Sequence, residues 1–409
     1  MRSIVIGAGF AGLAAATRLA AAGRDVTVLE ARGRVGGRAW SEKLGNGVVV
    51  ERGAEYIFPG EHAVRALAAE FRVPIVSHGV SYERRTLDGR RISWPDLLDT
   101  ERRVHVAAHH LAAERSEASV QDAFAAALGE EFARHPFVRR FLTSVAASAD
   151  EIGVHALLGS DPEKLIDDGG RLLGGNQSLA TAMAEALGHA VRLSSPVVAV
   201  RLGSAEVTVV TAGAERFAAE ELVIAVPLPL LDELGMDFAL PKGIVEALAM
   251  RGMGDATKCA VALQRDVEDP AVQSPSEFSW SWQSRDVSGT ARVPALTGFT
   301  GGPSAARYAG PDGGDLWLDD VRELRGDLET SGAPLVTAWS HDPWARGAYS
   351  HPLPGWHSRD IVAFDEVIGG RVTFAGEYIS TAASLDGAAS SGRAAAERLL
   401  RRRDALRAP

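Results

Sequence analysis

The chain has 409 residues, 46% hydrophobic and 23% charged, and 43 Lys plus Arg against 53 Asp plus Glu leave a formal charge of −10. That composition excludes a disordered or coiled-coil chain and predicts two or three domains at roughly 150 residues each, while the acidic balance argues against nucleic acid and for small molecules as partners. The single cysteine, Cys259, excludes a disulfide framework and a Cys-based metal site and fits a reducing, cytoplasmic compartment.

Ser3-Ile4-Val5-Ile6 reads as a short buried strand, followed by a glycine turn, an Ala/Leu-rich helix over about 12–22 and a second strand over 25–30. This apolar opening could pass for a signal peptide, but Gly7, Gly9 and Gly12 interrupt it and no cleavage site follows, so it reads as folded protein. A strand, turn, helix, strand order predicts an α/β fold: a parallel sheet with its ligand at the carboxyl ends of the strands. Residues 61–173 turn to helical periodicity, over 63–71, 104–117 and 119–149. Strand signals return at 190–201, 206–211 and 222–225, the first two joined as a hairpin at Gly203-Ser204. Two more strands follow at 257–263 and 278–282, the second carrying Phe278, Trp280 and Trp282 on one face by the two-residue period. A helix over 316–328, a strand over 335–339, a strand over 372–375 and a helix over 387–403 complete the chain, with no membrane-length apolar run.

Chemistry enters with Gly7-Ala8-Gly9-Phe10-Ala11-Gly12, directly after a strand and opening a helix, with Glu30 ending the next strand. Gly7 permits the tight turn, Gly9 lets backbone approach a pyrophosphate and Gly12 lets helix and strand pack closely. The helix N-terminus offers unpaired N–H groups to phosphates. Glu30 can accept both hydroxyls of an adenosine ribose and would repel a 2′-phosphate, which points to a dinucleotide other than NADP.

The continuation Glu30-Ala31-Arg32-Gly33-Arg34-Val35-Gly36-Gly37-Arg38 resembles the Glu-x-x-x-Arg-x-Gly-Gly-Arg signature of the flavin-containing amine oxidase family. The resemblance implies FAD, a Rossmann-like FAD-binding domain built from 1–60, 172–235 and 345–409, and an inserted α+β substrate domain from 61–171 and 236–344. Gly37 would let the chain wrap the cofactor, and Arg32 and Arg38 would give charge-assisted hydrogen bonds to the diphosphate region. By the same resemblance Gly53-Ala54-Glu55-Tyr56 is a loop beside the flavin, with Tyr56 toward the substrate, and Val197 meets adenine through its backbone. Met253-Gly254-Asp255-Ala256-Thr257-Lys258 implies that Lys258, one of four lysines in the chain, holds a water against flavin N5. Trp339 would flank the ring system and Tyr349 would form one wall of an aromatic cage suited to an amine. Ala348 stands where covalently flavinylated members place cysteine, so the FAD is expected to be non-covalent. Val372 to Glu377 and the segment from Asp386 resemble the last cofactor segment, with Glu377 and Leu385 as contacts, and the second cage aromatic falls at about Ser384. Trp280, Trp282 and Ser384 join Tyr349 and Tyr56 as candidate substrate contacts.

The reading is an FAD-dependent amine oxidase: a small-molecule amine to imine, two electrons to the flavin, reoxidation by O2 to hydrogen peroxide. Ser384 in a half-open cage keeps open an alternative, oxidation of a C–C bond in a larger substrate, and a non-catalytic flavin-binding protein is a further one. The histidines show no metal-ligand spacing and read as satisfied or exposed. Asp167-Asp168 and Glu220-Glu221 read as solvated, and Arg398, Arg401, Arg402 and Arg403 as a helix end suited to its dipole.

Overall fold

Alternation in the first strand sends Val5 to one face and Ile4 and Ile6 to the other, and each face finds its own core. The computed structural model describes residues 1–80, 86–87, 89–91, 93–158, 169–286, 291–326 and 328–407; Asp167 and Asp168 lie outside them. Strand Arg2–Ile6 sits at the centre of a five-stranded, all-parallel sheet, flanked by Glu221–Ile224 and Val372–Phe374 on one side and by Asp25–Leu29 and Val191–Arg192 on the other. Helices Phe10–Ala21, Gln177–Leu187 and Leu385–Arg407 cover the Val5 face. An antiparallel meander, Val197–Leu202, Val207–Thr211 and Arg216–Ala219, covers the Ile4 face together with helix Lys242–Ala249. The sheet is thus buried on both faces, as a parallel sheet requires.

A seven-stranded mixed sheet runs in the order Thr330–Ala338, Ala256–Leu263, Ala295–Gly301, Ser279–Trp282, Ala271–Gln273, Thr86–Leu87, Arg90–Arg91. Its second strand, Ala256–Leu263, is buried along its whole length, and period two splits it: Cys259, Val261 and Leu263 pack under helix Gly313–Arg325, while Lys258 faces the other way, toward a cavity. No helix among the described residues is long and apolar enough to cross a membrane.

Several expected elements change at their ends, each for a local reason. The 104–117 helix begins ten residues earlier, at Trp94–Glu114, because Pro95 falls in the first turn, where its missing N–H costs nothing, and Ser93 caps it. The 119–149 helix breaks into Val120–Leu128, a short 3-10 turn and Pro136–Val145, at Gly129 with φ 83° and at Pro136. The 190–201 strand divides at Ser194, φ 52°, so that its halves join different sheets. Helices Gln177–Leu187 and Lys242–Ala249 were not expected.

Two charge assignments also change. Glu221 is buried, takes Arg24 through both carboxylate oxygens at 2.9 and 3.0 Å and accepts from the Ser3 hydroxyl at 2.8 Å. Arg398, read as part of a basic helix end, lies two turns before the end of helix Leu385–Arg407 and is buried, donating to the Phe374 carbonyl, the Thr373 hydroxyl and Asp365.

Candidate active site

The glycine turn is stereochemically committed. Gly7 has φ +102°, and a Cβ on it would lie 2.6 Å from the Ala225 carbonyl oxygen; a Cβ on Gly12 would lie 1.9 Å from the Gly7 carbonyl oxygen. At Gly9 a Cβ would meet no protein atom within 4 Å, because that side of the turn faces a cavity. Helix Phe10–Ala21 starts there with no side-chain cap and no acidic residue in its first turn, so its first N–H groups stay available to an anion. Glu30 closes the turn: its carboxylate accepts from the Ala8 N–H at 2.7 Å and the Arg32 N–H at 2.8 Å. Burial raises the Glu30 pKa despite these bonds. Gly37 has φ +58°, and Pro196 and Val197, at the start of the meander, line the same cavity.

From this cradle the cavity, about 900 Å³, continues past the Leu385 end of the C-terminal helix into an aromatic chamber. Register builds one wall of the chamber: Lys258 pairs with Phe299 and Phe299 with Trp280, so three neighbouring strands present these side chains in a row. Trp282, two residues along, stacks on Trp280 with ring centroids 4.2 Å apart. Tyr56 packs against Trp280 at 6.4 Å, and Trp339 and Tyr349 close the other side. Trp339 is fixed by its indole N–H to the Arg52 carbonyl at 2.9 Å, and the Tyr349 hydroxyl donates to the Ser144 carbonyl. Ser384 also lines the cavity; its hydroxyl accepts from the Gly387 N–H at 3.2 Å and donates to Glu61.

The chamber holds an ionic chain that sequence reading did not anticipate. Lys258, 3% exposed, gives Nζ–H donors to Glu55 Oε2 at 2.5 Å and to the Gly53 carbonyl at 2.9 Å. The other Glu55 oxygen meets His78 Nε2 at 2.7 Å. Burial pushes the Glu55 carboxyl up, but the Lys258 charge and the His78 hydrogen bond outweigh it and hold the pKa at about 2. His78 is fully buried and burial lowers its pKa, so it is neutral at pH 7. Behind the chain lies Glu51, raised to about 7 by burial and then by the Glu55 charge, although it accepts from the Asn176 N–H at 2.7 Å.

The structure brings Gly7, Gly9, Glu30, Arg32, Gly37, Arg38, Val197, Glu377 and Leu385 to one end of one cavity and Tyr56, Lys258, Trp280, Trp282, Trp339, Tyr349 and Ser384 to its walls. Gly12 contributes by packing, not by lining. Arg32 gives one N–H from each terminal nitrogen to Asp342, at 2.8 and 2.6 Å, which fixes its guanidinium against the turn and leaves three of its five donors for other partners. Arg38 gives one terminal nitrogen to the Ala348 carbonyl at 2.8 Å and to Glu377 at 2.9 Å, and Glu377 in turn accepts from Ser350. Phe278 leaves the expected tryptophan face, since the strand starts at Ser279; it packs instead on the helical cluster, with Arg139 over its ring. Glu55 had one legible signal, a carboxylate inside the otherwise small and apolar Gly53-Ala54-Glu55-Tyr56-Ile57. His78 had none, and it corrects the reading of all histidines as satisfied or exposed: its Nδ1 is buried without a partner among the described residues.

Comparison with known proteins adds four findings. The family model described as flavin containing amine oxidoreductase matches residues 10–400. Lysine-specific histone demethylase 1 homolog 2 of Arabidopsis thaliana is 27% identical over 97% of this chain, which spans 58% of that protein's length. Polyamine oxidase 4 of Oryza sativa subsp. japonica is 27% identical over 98% of this chain and 88% of its own length. Among solved structures, cyclohexylamine oxidase from Brevibacterium oxydans IH-35A superposes with a TM-score of 0.82 at 21% identity, covering 98% of this chain and 99% of that one, which shows the shared fold.

Proposed function

This chain belongs to the flavin-containing amine oxidoreductase family, and we propose on that premise that it oxidises the carbon–nitrogen bond of a small-molecule amine to an imine, with O2 as electron acceptor and hydrogen peroxide as product. The observation that carries the reading is the single cavity that joins a dinucleotide cradle to an aromatic chamber holding a buried lysine.

The cofactor is FAD, bound without a covalent link, and the cavity fits it. The open space at Gly9, the uncapped helix end and the ribose-ready Glu30 suit its dinucleotide half. Val197 would meet the adenine, and Arg38 with Glu377 would hold the middle of the molecule. The sole cysteine, Cys259, points into the core under helix Gly313–Arg325 and so offers no thiol to the cavity. When bound, FAD supplies the two-electron redox chemistry.

The protein supplies orientation and exclusion of water. Tyr349 and Trp339 would flank the amine on one side and Trp280 and Trp282 on the other, with electron-rich ring faces toward it. Lys258 keeps one of its three N–H donors free of Glu55 and Gly53 and so can hold a cavity water. The same reading assigns 1–60, 172–235 and 345–409 to cofactor binding and 61–171 and 236–344 to the substrate side. A second reading, oxidation of a C–C bond, is favoured by Ser384, a small hydroxyl on the cavity wall where the family resemblance implies a second cage aromatic.

The test is an absorbance spectrum of the purified protein, anaerobic addition of a panel of amines, and readmission of air. Bleaching by an amine, with peroxide on reoxidation, is the expected result. A flavin spectrum that no amine bleaches shifts the assignment to the C–C reading, and a protein that takes up no flavin overturns both.

A further inference from the structure

Three cations line the cavity among the described residues, and each already has a carboxylate: Arg32 has Asp342 at 2.6 Å, Arg38 has Glu377 at 2.9 Å and Lys258 has Glu55 at 2.5 Å. Lys258 alone stands among the chamber rings, with its Nζ 5.5 Å from the Trp282 centroid. An amine-bearing carbon that reaches these rings brings its other substituents close to that ammonium.

Glu55 is not free to swing aside. Its second oxygen is held by His78, which is fully buried under Tyr56 with ring centroids 4.2 Å apart. Releasing Lys258 would leave a buried carboxylate and a buried ammonium both unpaired, the most unfavourable arrangement for charges out of water. A carboxylate arriving with a substrate must lose its hydration to enter this apolar chamber, a loss only a free cation or a set of donors recovers. It would instead meet the Glu55 charge on the far side of the same ammonium.

We propose that Glu55 is a specificity-determining residue: by neutralising the charge of Lys258, with His78 holding it in place, it makes the chamber reject ligands that carry a carboxylate beside the reacting centre and admit uncharged or amine-bearing ones. Amino acids are thereby excluded in favour of simple amines. The inference rests on the amine reading above and narrows it to amines whose nitrogen-bearing carbon has no carboxylate.

Two isosteric probes test it on the FAD-loaded protein through the change in flavin absorbance on binding. Wild type is expected to take neutral benzamide at least tenfold more tightly than benzoate; equal or tighter benzoate binding overturns the proposal without any variant. Glu55→Gln is expected to bind benzoate at least tenfold more tightly than wild type, Glu55→Asp to stay like wild type, and Glu55→Gln/Lys258→Met to lose the gain. No gain in Glu55→Gln, or a gain that survives in the double variant, overturns it. Because binding is read and not turnover, failure here with amine bleaching intact sinks this inference alone.

Discussion

Gly7, Gly9 and Gly12 shape the cradle from one short turn of chain, whereas Glu55 and Lys258, in contact at the other end of the cavity, lie 203 residues apart. The cradle works through backbone: positive φ at Gly7, a packing at Gly12 so close that a Cβ there would lie 1.9 Å from the Gly7 carbonyl oxygen, and N–H groups at a helix end. The chamber works through side chains whose charges must balance out of water. The first kind of site is broken by a methyl group, the second by an unpaired charge. The Arg24–Glu221 pair shows that burial alone does not distinguish them, since it is equally dry but lies at the N-terminal ends of the inner strands of the parallel sheet, away from the cavity lining.

The largest effect expected comes from breaking one member of each buried pair. Lys258→Met strands Glu55 and Arg24→Met strands Glu221, and each should lose about 3–5 kcal/mol in urea unfolding at pH 8. Adding Glu55→Gln to Lys258→Met should restore most of the first loss. Only the Lys258 variant should alter the flavin spectrum on ligand binding; an equal change in Arg24→Met would erase the distinction between the two regions.

The pH dependence of stability probes the charge balance from the other side. Glu51 keeps its proton in the folded state up to about pH 7, while its ordinary value is 4.5. The unfolded chain releases that proton first, so stability falls as pH rises from 4.5 to 7 and is constant above, a loss of roughly 3 kcal/mol. Glu55 acts in the opposite sense: its depressed pKa contributes stability that is present above 4.5 and lost as pH falls toward 2. Melting curves of Glu51→Gln and wild type should therefore converge near pH 4.5 and separate by pH 7.5, with the variant more stable; parallel curves would show that Glu51 is ionised throughout.

A smaller perturbation tests the cradle. Gly12→Ala should cost about 1–3 kcal/mol by overpacking and show as a loss of FAD on dialysis, with helix content unchanged by circular dichroism. Retention equal to wild type would mean that the turn can relax, and that the cradle is less tightly specified than its contacts imply.

Much of the cradle was legible because its signals are local. A strand, a glycine turn and a helix within some twenty residues announce their geometry through φ preferences and hydrophobic period. Lys258, Tyr349 and Trp339 were found only because they resemble a family pattern; taken alone they are a strand lysine and two buried aromatics. His78 carried no mark, since nothing in its neighbourhood names Glu55 as its partner. Glu221 misled for the same reason, its partner Arg24 lying 197 residues away, and the Asp342 that holds Arg32 lies 310 residues away, equally out of reach of local pattern.

The sequence by itself determined the parallel sheet and the dinucleotide turn, because each rests on backbone conformations that a few adjacent residues impose, and its resemblance to a family signature supplied the cofactor class. Only the tertiary structure decided which charges face the cavity and which cancel. Ion pairing depends on distances between side chains from remote strands, and those distances are set when the sheets pack. Lys258 is thus readable in sequence as a lysine near a flavin, but that its charge is already answered by Glu55 is a property of the fold.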